Sequence, residues 1–133
     1  MIVVDTHVLL WLSEDSKRIG RSARRKIDAA AKRAELFVSA ISYWELGMLI
    51  GAGRLRLTGG VEALRSTAEV GGIPEIPVDG TIAILASRLE GLHGDPADRI
   101  IFATALCGGA TLITADEKLL AASSGPARLD AQK

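Results

Sequence analysis

Four acidic residues stand where carboxylates commonly do chemistry, at the ends of short apolar segments or in the first turns of helices. Asp5 ends the segment IVV, Asp116 follows the segment TLIT, Glu45 follows the segment LFVSA by about one helical turn, and Asp98 lies in the polar stretch HGDPAD before an apolar run. Few basic residues lie near them in sequence. Carboxylates that converge without compensation repel one another and raise their pKa values, and a hard divalent cation with oxygen ligands relieves this. The pattern therefore predicts a metal site.

The predicted ion is Mg²⁺ or Mn²⁺, because oxygen donors suit these ions and neither His7 nor His93, each a lone residue in a turn, is expected to have other metal-ligand residues beside it. Both histidines are interpreted as surface or hydrogen-bonding groups, which makes zinc a poor fit. One or two such ions suit phosphodiester hydrolysis, since they lower the pKa of a bound water and stabilise the attacking and leaving oxygens. The sequence thus favours a metal-dependent nuclease.

The four acids receive distinct predicted roles. Asp5, Asp98 and Asp116 are expected to bind metal directly or through water, and Glu45 is expected to bind a second ion or to orient the water.

Three further residues are expected to support these acids. Thr6 and Thr114 are candidates to hold ligand waters through their hydroxyls. Arg99 is expected either to contact phosphate or to form an ion pair with Asp95.

Helix capping is a competing explanation for each acid taken alone. Asp95, followed by Pro96, fits an N-cap, and Asp98 then falls in the first helical turn. The pairs Ser42 with Glu45 and Thr114 with Glu117 match the capping-box pattern. Capping does not explain why four acids should face one edge of a fold.

Short β-branched segments alternate with helical segments along the chain, which predicts a mostly parallel sheet with helices on both faces. Ligands of such sheets bind beyond the carboxyl ends of the strands, where the four acids are expected to meet. Pro77 cannot donate to a ladder, so its strand is placed near an edge. The predicted strands span 2–4, 36–40, 75–78 and 111–114, with a candidate edge strand at 127–129. The predicted helices span about 8–12, 21–34, 42–51, 61–70, 79–89 and 96–107, and a last one begins at 115–117.

Length and composition suit one globular domain over residues 1–133, with 48% hydrophobic and 24% charged residues. The single cysteine, Cys107, is expected to be a small buried hydrophobe, and a chain without disulfides suits a reducing compartment. No segment reads as a signal peptide or a membrane span. A soluble, cytoplasmic protein without membrane contact is expected.

The net charge of zero hides an asymmetry. Residues 17–56 carry a net charge of +7, and the rest of the chain carries −7. A basic region beside an acidic one fits a nuclease, which holds phosphates near acidic metal ligands, and it also fits a solvated helix face. The basic residues are Lys17, Arg18, Arg21, Arg24, Arg25, Lys26, Lys32, Arg33, Arg54 and Arg56.

Taken together and in order, four motifs resemble the PIN domain, and their spacing resembles the VapC-type toxin ribonucleases of bacterial toxin–antitoxin pairs. They are DTH after the first strand, SYWEL with a downstream GRL, DPADRIIFATA, and LITAD. The resemblance covers about residues 1–120. It implies a three-layer α/β/α sandwich with a parallel central sheet, and the same four acids, Asp5, Glu45, Asp98 and Asp116, as the functional set.

The resemblance also implies Mg²⁺- or Mn²⁺-dependent endoribonuclease activity on RNA, a homodimer, and inhibition by a small cognate antitoxin. Relatives often carry a lysine about four residues after the glutamate, where this chain has Leu49, and Arg54 or Arg56 is a candidate substitute. The first helix with Trp11 is expected to contact the antitoxin or the second subunit, while Trp11, Tyr43 and Trp44 are alternatively candidates for base stacking.

Three rival functions stay open at this point. One is a PIN-like nuclease in RNA or DNA processing without an antitoxin. Another is a catalytically silent module that binds RNA or protein, although such a module gains nothing from a repelling acidic cluster. The last is a phosphotransfer domain with Asp5 as nucleophile, which ranks lowest because no second aspartate follows two residues later.

Overall fold

A five-stranded parallel sheet with seven helices forms the protein in a computed structural model that describes residues 1–133. The three central strands are mostly apolar, as expected for parallel strands that helices cover on both faces. In chain order the elements are β1 (Ile2–Val4), α1 (Thr6–Ser13), α2 (Arg21–Lys32), β2 (Leu36–Ser39), α3 (Ile41–Gly51), α4 (Gly60–Val70), β3 (Glu75–Ile76), α5 (Gly80–Arg88), α6 (Pro96–Cys107), β4 (Thr111–Thr114), α7 (Glu117–Ala121) and β5 (Arg128–Asp130).

The strand order is β3-β2-β1-β4-β5, with every pair parallel. The central strand β1 places Val3 between Phe37 of β2 and Leu112 of β4. Because all strands run the same way, their carboxyl ends share one edge. Asp5 directly follows β1, and Asp116 comes two residues after β4, so both acids are delivered to that edge.

Side-chain alternation along the strands divides the core into two layers. Ile2 and Val4 of β1 pack into a cluster with residues of α1, α2 and α4 on one face. Val3, between them, packs with Ile101 of α6 and Leu119 of α7 on the other face. The predicted three-layer α/β/α fold is therefore confirmed.

Two helix starts differ from the predicted capping boxes. The N-cap of α7 is Asp116, whose side chain accepts from the backbone N–H groups of Lys118 and Leu119, so the Thr114–Glu117 box is wrong. Helix α3 begins at Ile41 after Ala40, and Ser42 lies inside it without a capping bond. At α7 the carboxylate of Asp116 accepts the backbone N–H groups, and at α3 the N–H of Ile41 donates to the hydroxyl of Ser39 at 3.2 Å.

Three smaller expectations meet mixed outcomes. The last strand begins one residue later than predicted, at Arg128, and β3 and β5 both lie at the sheet edges as expected. The prediction of a buried Cys107 is wrong: the residue is exposed in the last turn of α6, as is the adjacent Leu106. The longest helices have 12 residues, and none has the length and hydropathy that crossing a membrane requires.

Helix α6 positions Asp98, and the packing of this helix against the sheet can be tested by mutation. Ile101 is fully buried against the sheet, whereas Leu106 on the same helix is 37% exposed. We expect Ile101→Ala to lower the free energy of unfolding by about 2–5 kcal/mol through lost burial and a cavity. Leu106→Ala is the matched control and should cost about 1 kcal/mol or less. Urea denaturation followed by circular dichroism measures both, and equal losses would contradict this packing.

Candidate metal centre

A cavity of about 370 Å³ opens at the carboxyl edge of the sheet and brings the four predicted acids together. No lysine or arginine lines it, and aspartates and a glutamate make up half of its lining. The convergence expected from the sequence is thus present in the structure. The lining residues are Asp5, Thr6, His7, Trp11, Glu45, Asp95, Asp98, Ala115, Asp116 and Gln132.

Asp5 is the most deeply buried of these acids, with 5% of its surface exposed. One carboxylate oxygen, Oδ1, accepts from the backbone N–H of Val8 at 2.9 Å and so caps α1. The other, Oδ2, accepts from the hydroxyl of Thr114. Burial raises the pKa of Asp5, and these two hydrogen bonds oppose that shift. The hydrogen bonds fix the carboxylate at the bottom of the cavity.

Asp98 lies at the centre of the cluster, because it belongs to two groups of possible ligands. Its carboxylate oxygens lie within 4.8 Å of ligand atoms of Glu45 and Asp95 in one group, and of His93 and Asp116 in the other. Two groups that share one carboxylate are an arrangement that oxygen-preferring divalent ions can use. The donor set therefore fits a divalent cation.

Burial and the neighbouring carboxylates destabilise the charged form of Asp98. Desolvation by burial, followed by the negative charges of Asp95, Asp116, Glu45 and Asp5, raises the pKa of Asp98 from 3.8 to about 7. Without a cation the carboxylate therefore tends to stay protonated near neutral pH. A bound divalent cation opposes all of these causes at once.

Asp95 is a fifth carboxylate that the sequence interpretation treated only as a helix cap. It is the N-cap of α6, but only its Oδ1 accepts from the backbone, from the N–H groups of Ala97 and Asp98. The second oxygen is free of capping bonds. The available signal in the sequence was a capping aspartate immediately before Pro-Ala-Asp, since such an aspartate uses one oxygen for the cap and can present the other to a cation.

His93 also lies at the cluster, so the prediction that neither histidine has metal-ligand residues beside it is wrong. Its Nε2 lies 3.3 Å from Asp98 Oδ2 and is buried, although the pair does not meet hydrogen-bond geometry. Its Nδ1 accepts from the backbone N–H of Asp95 at 3.3 Å. Sequence spacing gave little signal, because His93 reaches Asp98 through a turn rather than from the same helix face.

The two threonines expected to support the acids have hydrogen-bond partners within the protein. Thr6 lines the cavity and donates to Ser42 at 2.9 Å. The Thr114 hydroxyl donates to Asp5 and accepts from the backbone N–H of Asp116 at 3.0 Å, so it links two of the acids. Its role towards a ligand water stays a prediction.

Arg99 does not form the predicted ion pair with Asp95. All four of its hydrogen bonds go to backbone carbonyls, and it does not line the cavity. A phosphate contact by Arg99 stays a prediction.

The aromatic residues divide between core and surface. Trp11 is 7% exposed, packs in the core and lines the cavity, so it is poorly placed for the protein contact expected of it. The Arg18 guanidinium lies 5.7 Å from the centre of its ring. Trp44 on α3 is 52% exposed and Met48, one turn later, is 57% exposed. These two residues form the apolar surface of α3.

A family model described as the PIN domain matches residues 2–124 of the chain. The chain belongs to the PIN-domain family. That match covers the first strand through the segment after α7, and so includes all four predicted acids. The resemblance inferred from the four motifs is confirmed.

Relatives of this PIN domain agree over nearly the whole chain. It is 35% identical over 120 residues to the protein named Ribonuclease VapC22 of Mycobacterium tuberculosis, an alignment that covers 89% of this chain and 88% of that protein. Two solved structures, each 17% identical, share its fold. They are DNA-bound VapBC from Salmonella typhimurium (TM-score 0.67, 97% of this chain and 96% of that one) and promoter-DNA-bound VapBC2 from Rickettsia felis (0.66, 97% and 98%).

The raised pKa of Asp98 predicts how the stability of the metal-free PIN domain depends on pH. Between 3.8 and about 7 the folded protein keeps a proton that the unfolded chain has released, so stability falls as pH rises through this window. We expect a loss of about 1–2 kcal/mol after solvent screening, or roughly 3–8 °C in Tm.

Thermal unfolding in chelator at several pH values measures this dependence. Asp98→Asn should flatten it and raise Tm at pH 7.5, while Asp28→Asn, an exposed residue of α2, should keep the wild-type slope. A wild-type Tm that does not change between pH 4.5 and 7.5 would contradict the assignment.

Proposed function

We propose that this PIN domain is a metal-dependent endoribonuclease that acts as the toxin of a toxin–antitoxin pair. The observation that carries the proposal is the convergence of Asp5, Glu45, Asp98 and Asp116 on one cavity that no lysine or arginine lines. The relative named as a ribonuclease supports the reaction class. We also propose that residues 1–133 act as one catalytic domain.

We propose Mg²⁺ or Mn²⁺ as the cofactor, held by Asp5, Glu45, Asp98 and Asp116. When bound, such an ion supplies Lewis-acid chemistry that activates water and stabilises charge on the phosphoryl group. Asp98 serves both groups of ligands, and Thr114 holds Asp5 and the backbone of Asp116 in fixed relation. Asp95 adds a carboxylate beside Asp98 and Glu45 and so strengthens the attraction for a cation.

The substrate phosphates need positive charge near an acidic cavity, and the protein provides it at the rim. Arg18 stands exposed over Trp11, which lines the cavity. The basic helix α2 begins nearby, since the N–H of Gly20 donates to the carbonyl of Ala131 and Gln132 lines the cavity. We propose that the RNA backbone follows this rim. Arg54 and Arg56, both exposed, remain candidates to replace the lysine absent at Leu49.

Metal-dependent cleavage is the first test. Purified protein should cut RNA with Mg²⁺ or Mn²⁺ and stop in EDTA, and Asp98→Asn should reduce the rate by at least about 100-fold because it removes the shared carboxylate. Glu117→Gln, the exposed neighbour of Asp116, is the matched control and should keep the wild-type rate. Gel electrophoresis of labelled RNA measures cleavage, and equal cutting in chelator would end the metal proposal.

We propose a small cognate antitoxin and a second copy of this chain as protein partners. A further solved structure with this fold is a toxin–antitoxin complex from Klebsiella pneumoniae (20% identical, TM-score 0.62, 98% of each chain), and the apolar surface of α3, Trp44 and Met48, suits a protein contact. RNA is the proposed substrate, and DNA cleavage under the same conditions would favour the processing nuclease instead.

Toxicity separates a toxin from a processing nuclease. Expression of the wild-type protein should arrest growth, whereas Asp98→Asn should not. Co-expression of a small protein encoded beside this chain should restore growth and co-purify with it. Growth unaffected by an RNA-cleaving protein would favour the antitoxin-free alternative.

A further inference from the structure

A second groove, the amino-edge groove, lies at the opposite edge of the sheet from the metal cavity. Ile2, Thr111 and Arg128, the first residues of β1, β4 and β5, line it on one side. Helix α2 lines it on the other side with Lys26, and Arg33 follows directly after that helix. Its volume is about 480 Å³, and none of the acids of the metal cavity lines it. The groove is therefore a separate site on the molecule.

Two cations in the amino-edge groove have no acidic partner. Lys26 lies in the middle of α2 and Arg33 is its C-cap; both are exposed, and neither forms an ion pair. A basic residue at a helix C-terminus stabilises the helix dipole, which is a structural reason for Arg33. Lys26 gains nothing from either helix end. About two helical turns separate the two residues, so both side chains leave the same face of α2, about 10 Å apart along its axis.

The other charged groups near the amino-edge groove do not neutralise this pair. Glu35 is the one acid that lines the groove, and its carboxylate lies 3.8 Å from the amino group of Met1. The guanidinium of Arg128 donates to two backbone carbonyls within residues 122–124. Asp28, the only acid of α2, lines a different pocket with residues of α1 and α4. The groove therefore carries positive charge that the protein leaves uncompensated.

Helix α2 connects the amino-edge groove with the metal cavity. Its first turn lies against the residues after β5, because the N–H groups of Gly20 and Ser22 donate to the carbonyls of Ala131 and Lys133. Gln132, between these two acceptors, lines the metal cavity. With 12 residues the helix is about 18 Å long. A ligand that occupies both sites must therefore be extended and must follow the length of this helix.

We propose that the amino-edge groove binds phosphates of the RNA substrate remote from the scissile bond, with Lys26 and Arg33 as the phosphate-binding residues; this rests on the proposed ribonuclease function. A single-stranded RNA fits because its backbone repeats negative charge along an extended path. Lysine offers phosphate a point charge, and arginine offers it a forked donor. The hydroxyl of Thr111 is a further donor in the groove. The substrate is thus an RNA whose flank reaches along α2.

Fluorescence anisotropy of labelled single-stranded RNA with the full-length protein in EDTA tests the groove without cleavage. Lys26→Gln combined with Arg33→Gln should raise the Kd by about tenfold or more at about 0.1 M salt, and should lower the slope of log Kd against log salt by about 1.4, because each phosphate contact contributes about 0.7. Arg25→Gln combined with Lys32→Gln is the matched control, which removes the same charge from the same helix outside the groove. Equal losses in the two double variants would overturn the proposal.

Glu35→Gln should change RNA affinity in the opposite direction. It removes the one acid of the amino-edge groove, so the Kd for the same RNA should fall by about two- to fivefold through lost repulsion. Glu69→Gln, at an exposed acid of α4 outside the groove, is the control and should bind RNA as wild type does. An unchanged or higher Kd in Glu35→Gln would contradict a phosphate in this groove.

Acetylation of lysines followed by mass spectrometry locates the RNA on the wild-type protein. Bound RNA should protect Lys26 from acetylation more than Lys32, which lies on the same helix outside the groove. Equal protection of the two lysines would show that the RNA does not enter the groove.

The outcomes separate this proposal from the proposed function. Wild-type protein that cleaves RNA, while the Lys26 and Arg33 double variant binds it as tightly as wild type, would reject the groove alone. Wild-type protein that binds RNA through the groove without cleaving it would reject the ribonuclease function alone, and absence of both binding and cleavage would reject both. A double variant that keeps its RNA affinity but no longer co-purifies with the small protein encoded beside this chain would make the groove a protein-binding site and overturn the RNA proposal.

Discussion

Mutual repulsion among carboxylates is the constraint on which the structure of this PIN domain depends. Five acidic side chains share one cavity without a lysine or arginine among its lining residues. Desolvation and this repulsion together shift the pKa of Asp98 to about 7. The fold tolerates the cluster because three of its members, Asp5, Asp95 and Asp116, accept from backbone N–H groups as they cap helices. A helix N-terminus stabilises negative charge, so the hydrogen bonds that cap these helices also stabilise the charged carboxylates.

The parallel sheet places these acids at one location. Strands β1 and β4 are neighbours in register, and the residues that follow them enter the cavity together. Thr114 reinforces this connection, because its hydroxyl bonds both the carboxylate of Asp5 and the backbone of Asp116. Two residues more than a hundred positions apart in sequence are thereby held as one unit. Helix α6, buried against the other face, brings Asp98 to them.

Much of this arrangement is predictable from the sequence, and the reason is topological. Asp5 and Asp116 follow recognisable apolar strands, and a parallel sheet sends everything after its strands to one edge. Asp98 is equally accessible, since Pro96 marks the start of its helix. The cap of α7 was assigned to Thr114 because its spacing to Glu117 fits a capping box, yet tertiary contacts engage that hydroxyl elsewhere. The spacing of residues within one segment gives no information about a hydrogen-bond partner that follows a distant strand.

His93 and Arg99 escaped the sequence interpretation for a related reason. Their roles depend on the path of residues 89–95, which has no periodicity to reveal it. Arg99 was expected to contact a charged group, but backbone carbonyls at the end of α5 and at residues 92–93 accept all of its hydrogen bonds. An arginine in a motif that carries a metal ligand can therefore have a structural role that the sequence does not reveal.

The double use of the capping aspartates has an evolutionary consequence. Asparagine caps helices about as well as aspartate, so a single replacement at Asp5, Asp95 or Asp116 can discard a charge and still begin the helix. Descendants that no longer cut nucleic acid would then keep the architecture, and selection on folding alone would not remove them. Inactive proteins of such a lineage would differ from active ones by a single substitution, and their folds would be the same.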